Sequence, residues 1–200
     1  MKVQYVVPAL AVALLSASCA SGGGGSADAS GPTPPAPTIS QSNAGDSDGG
    51  PVRSSRGYIM KDVGEQGGLT SSKDPATNWL TFTVDEIVEN DPCDSYEAPS
   101  GVPTRVDVSI ATADVPEEER GISGAIFHPQ SWQWVQADGT TSGVTSQEGT
   151  YSYSCGTWQQ LSSGLASNSQ YRATFYLDVP EGATNLILDH GGGGWEWELP

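Results

Sequence analysis

The sequence predicts an all-β fold: a two-sheet antiparallel sandwich of seven or eight short strands over residues 57–200, behind a disordered N-terminal tether. Three observations predict it. From Trp79 onward the apolar residues recur with period two, Gly, Pro, Asp and Asn interrupt the runs at short intervals, and no segment sustains a helical period for three turns.

The elements follow in chain order. Leu80, Phe82 and Val84 share one face of the first strand and Thr81 and Thr83 the other, with a continuation through Ile87 and Val88 after a bulge. Val106, Val108 and Ile110 alternate with Arg105, Asp107 and Ser109. Trp132 and Trp134 alternate with Ser131 and Gln133 ahead of an Asp138-Gly139 turn signal. Tyr151, Tyr153 and Cys155 alternate with serines and read as another strand. The clearest strand is Tyr171 to Val179, with Ala173, Phe175 and Leu177 inward and Arg172, Thr174, Tyr176 and Asp178 outward, ended by Pro180-Glu181-Gly182. Leu186 to Leu188, then Trp195, Trp197 and Leu199 around Glu196 and Glu198, complete the set, with both glutamates expected to face water.

The N-terminus carries an address. Met1-Lys2 is a minimal positive region, Val3 to Leu15 an apolar run, and Ser16-Ala17-Ser18 small residues, so residues 1–18 read as a signal peptide. A run of about thirteen residues is too short for a membrane span, which needs roughly twenty. Leu14-Leu15-Ser16-Ala17-Ser18-Cys19 resembles the lipobox of bacterial lipoproteins, which implies a diacylated Cys19 as the mature N-terminus on the outer face of the cytoplasmic membrane. Ser16 stands where that pattern usually has Leu, and cleavage before Ser21, giving a secreted chain, is the alternative. Residues 19–56 are rich in Gly, Ser, Pro, Thr and Asp and nearly free of large apolar side chains, so nothing there offsets the entropy of ordering.

Export suits the cysteines. The domain holds two, Cys93 and Cys155, and in an oxidising compartment they are expected to be bridged. With 8 Lys plus Arg against 24 Asp plus Glu, the formal net charge of −16 repels nucleic acid and anionic lipid, so no nucleic-acid partner is expected.

Several stretches resemble a known family. Val63-Gly64-Glu65, Leu80-Thr81-Phe82-Thr83-Val84, Val106-Asp107-Val108-Ser109-Ile110 and Phe175-Tyr176-Leu177-Asp178-Val179-Pro180-Glu181-Gly182-Ala183 are similar to the uncharacterised extracellular immunoglobulin-like domains of actinobacterial and other Gram-positive lipoproteins, related to a secreted mycobacterial immunoprotective antigen. The resemblance implies an immunoglobulin-like sandwich and export. The family has no assigned catalytic residues to carry over.

The residues give little purchase for catalysis. His128 and His190 are the only histidines, no Gly-x-Ser-x-Gly or His-Glu-x-x-His is present, and no enzyme activity or cofactor is expected. Asp85, Glu86, Glu89, Asp91, Asp94 and Glu97 gather oxygens but lack the spacing of a calcium loop, so a solvated acidic loop is expected rather than a metal site. Trp132 with Trp134, and Trp195 with Trp197, have the i, i+2 geometry of a sugar-stacking platform, although the inward face of a strand explains them as well. The expectation is an exported, lipid-anchored, non-catalytic domain acting on an envelope or host protein, with a carbohydrate-binding module as the alternative.

Overall fold

A computed structural model describes residues 50–71, 73–94, 98–121, 123–144, 149–191 and 193–200. The signal segment 1–18, Cys19, the tether up to residue 49 and Glu97 lie outside the described residues.

Alternation builds the strands where a run is long enough to bury one face. They are β1 (Ile59–Met60), β2 (Gln66–Thr70), β3 (Asn78–Glu89), β4 (Val102–Thr112), β5 (Trp132–Gln136), β6 (Thr141–Gly143), β7 (Gln170–Val179), β8 (Ala183–Asp189) and β9 (Gly194–Glu198). One sheet has the order β1-β9-β8-β5-β6 and the other β2-β3-β4-β7. All pairings are antiparallel except the short β1–β9 pair. Chain crossings after β1, β4, β6 and β7 carry the fold from sheet to sheet, an immunoglobulin-like sandwich in which β5, β8 and β9 take the places of strands C, F and G.

The core lies between the sheets. Phe82 meets Phe127, Trp195 and Trp197 edge-on, with ring centroids 5.4, 4.7 and 6.4 Å away, and Trp132 lies against Phe175 at 5.4 Å. The buried Trp of strand C in antibody domains packs on a disulfide between the sheets. Here aromatic rings fill that space and the disulfide sits elsewhere. The expected bulge is present between Val84 and Glu86, and it turns Asp85 and Glu86 outward together while Ile87 returns to the core.

Four expectations are corrected. Tyr151 to Cys155 is not a strand: Gly149–Ser154 forms one short helix, α1, in which Tyr151 and Ser152 are buried, and Cys155 is buried just past its end. Residues four apart satisfy a period of two and a period of 3.6 alike, so the spacing of Tyr151 and Cys155 does not tell a strand from a helix. Glu196 does not face water but is fully buried, its Oε1 paired with the Arg56 guanidinium. Asp178 is also buried, because its carboxylate accepts from Ser100 N–H and Oγ–H and from Gly101 N–H at 2.9, 2.8 and 2.7 Å, fixing the approach to β4. Residues 52–56, expected in the tether, are already bonded to the folded domain. Met60 N–H donates to Val52 O, Arg53 bridges Ile59, and the turn at Gly57, φ +90°, brings Arg56 and Tyr58 over the outer side of β8 and β9.

Beyond β7 the chain supplies the bonds a further strand would make. Thr157 N–H donates to Thr174 O at 2.9 Å, Thr174 N–H donates to Thr157 Oγ1 at 3.0 Å, and the Gln160 side-chain amide donates to Arg172 O.

Candidate functional site

Trp132, Trp134, Trp195 and Trp197 all point into the space between the sheets and are at most 4 % exposed. A sugar ring cannot reach them, so they form no stacking platform. Burial wins because the alternate positions of β5 and β9 are the inward face, and large aromatic surface is worth most when removed from water.

Cys93 and Cys155 are bridged, with Cα atoms 6.2 Å apart. The bond ties the β3–β4 loop to the end of α1, and Cys93 N–H donates to the Tyr151 hydroxyl at 3.0 Å. Burial raises the Tyr151 hydroxyl above the ordinary tyrosine value.

His128 Nδ1 accepts from Gln130 N–H at 3.3 Å, its ring lies 5.4 Å from Tyr153 and 5.1 Å from Trp158, and burial pushes it below the usual histidine value. His190 shares a cleft of about 300 Å³ with Ser131 and Asp189. The arrangement is not a hydrolytic triad: Ser131 Oγ–H donates to Ala125 O at 3.0 Å, and Asp189 Oδ1 accepts from the Tyr58 hydroxyl at 2.9 Å.

Among the described residues the acidic side chains do not form a cage for a cation. Arg105 Nε donates to Asp91 at 2.6 Å and Nη2 to Glu86 at 3.0 Å, while Nη1 bonds Asp107, so a guanidinium already stands between these three carboxylates. These bonds, that to Asp91 foremost, raise the arginine further above its already high value. Asp85 accepts from the Ser109 hydroxyl.

The structure also assembles a surface that no local pattern announces. Register across the four-stranded sheet sets Gln66, Thr83, Ser109 and Arg172 in one transverse row, and Gly68, Thr81, Ala111 and Gln170 in the next. Period two places these side chains on the outer face, opposite the core. The middle of both rows is short, and the longer Gln66, Gln170 and Arg172 stand at the sides, which leaves a trough of about 440 Å³. A third row, Glu86, Asp107 and Thr174, continues it into a second hollow of about 390 Å³ that Asp85 and Arg172 also line. Among the described residues Arg172 is exposed and its side chain has no partner.

No family model matches the chain, and no curated protein does. Among solved structures it is similar to MPT63, a secreted protein of Mycobacterium tuberculosis: 13% identity, 71% of this chain and 98% of that one covered, and a TM-score of 0.46.

Proposed function

We propose that the chain is an exported protein, anchored by a lipid on Cys19, whose immunoglobulin-like domain binds another protein of the envelope or of a host and catalyses nothing. The observation that carries the binding role is the outer face of the four-stranded sheet: three transverse rows, polar except at Gly68 and Ala111, half-exposed or exposed. The opposite sheet differs, since Arg56 and Tyr58 are bonded to side chains on its outer side. Export is supported by the signal-like segment together with the Cys93–Cys155 bridge, a bond that persists in oxidising compartments.

Two measurements test the reading. Mass spectrometry of the mature protein should find a diacylated Cys19 at its N-terminus, and an unmodified start at Ser21 would remove the anchor. With the mature protein as bait in envelope extract, a discrete partner should be retained by the native face and lost from Thr83→Lys, which puts a long charged chain into the middle of the trough. Equal retention by both proteins would move the contact off this face.

A further inference from the structure

We infer that the trough on the outer face of the four-stranded sheet is a binding site for a short peptide with both ends free, whose carboxylate is held by Arg172 and whose ammonium lies toward Asp107. The inference shares its face with the reading above, but needs neither the anchor nor a protein partner.

The argument starts from charge. The face carries a cation and anions side by side in distinct states of engagement. Asp107 accepts from the Thr174 hydroxyl at 2.7 Å and from Arg105, and Asp85 accepts from Ser109. A carboxylate offers about four acceptor positions, so both keep capacity toward solvent. Arg172 carries its full complement of donors, and a guanidinium grips a carboxylate through two parallel bonds. A ligand with one charge alone would meet one favourable and one unfavourable end. A ligand bearing both charges fits both ends.

Spacing sets the size. Arg172 and Ser109 lie one row from Asp107 and Thr174, two residues along each strand, hence roughly 7 Å apart. An extended dipeptide with free ends spans about the same length. Thr81 and Thr83 on the floor and Gln66 and Gln170 at the sides offer both donors and acceptors for a peptide group. A saccharide is the poorer match: its apolar face needs an open aromatic ring, whereas of the two aromatic residues at the trough Phe82 is buried and Tyr171 packs against the core.

Isothermal titration of the purified mature protein tests this with four probes: alanyl-alanine, its C-terminal amide, its N-acetyl form and a linked pair of uronic acids. Alanyl-alanine should saturate in the millimolar range, and either blocked form should bind about tenfold more weakly, the loss expected for one charge-assisted bond. Arg172→Gln should erase the preference for the free carboxylate over the amide, and Arg172→Lys, which keeps the charge without the fork, should fall between. Both variants should keep the native urea midpoint, since the Arg172 side chain is exposed. No saturation by alanyl-alanine, equal binding of the blocked forms, native affinity in both variants, or tighter binding of the uronic acids would each overturn the inference. A retained envelope partner without dipeptide binding would remove this site and leave the protein-binding role standing.

Discussion

Removing Arg56 is expected to destabilise the domain far more than an exposed ion pair would. The Glu196 side chain is 0% exposed and that of Arg56 29%, so the carboxylate is the buried partner and the guanidinium reaches water. Glu196 Oε2 has no partner among the described residues, which leaves Arg56 as its compensation. Deleting one member of a buried pair costs about 3–5 kcal/mol, because the remaining charge is desolvated without a counter-ion. Partial exposure of Arg56 places Arg56→Ala at the lower end, about 3 kcal/mol, a large share of the 5–15 kcal/mol typical of a domain. Glu196→Gln removes the charge that must be compensated while its amide oxygen still accepts, so it should cost only about 1 kcal/mol. Once Glu196 is neutral, Arg56→Ala should add little. Urea unfolding of the four proteins in oxidising buffer closes the cycle, with free energies by linear extrapolation. An Arg56→Ala cost below about 0.5 kcal/mol, as for surface pairs, or strict additivity in the double variant, would refute the burial argument.

Three further outcomes are expected. Cys93→Ser with Cys155→Ser opens a loop whose ends are 62 positions apart, which the loop-entropy relation values at about 4 kcal/mol; unchanged urea midpoints would refute a stabilising role. Trp132→Ala removes a fully buried ring and should lower stability by about 3–5 kcal/mol, read as a fall in the urea midpoint. Burial lowers His128 in the folded state, so its contribution is present above the unfolded value near 6.5 and is lost as pH falls through the lower folded value. His128→Asn, which retains an acceptor for Gln130 N–H, should therefore lose less stability than the native chain between pH 7 and pH 5 in parallel urea titrations.

The long strands were legible because β3, β4 and β7 each bury one face against the other sheet, so period two survives in Leu80 to Val84, Val106 to Ile110 and Ala173 to Leu177. β2 was not. Its centre is Gly67-Gly68, which carries no pattern, yet Gly67 is needed: a Cβ there would stand 2.6 Å from the Phe82 ring. Glu196 misled for a different reason. Its strand alternates correctly, but the face it occupies is covered by residues from before the expected boundary, a long-range event invisible along β9. The pairing of Cys93 with Cys155 follows from their number and the compartment. The trough does not, since it exists only once four strands are set in register.

The bonds that Thr157 and Gln160 make to β7 decide how neighbouring copies behave. An open strand edge is a template on which neighbouring copies zip into a continuous ribbon. At Arg172 and Thr174 the outward carbonyls are already taken, and Thr174 N–H with them. The segment that takes them begins two residues after Cys155, so the bridge holds the plug as well as the loop. Crowding along that border therefore brings copies side by side without fusing their sheets.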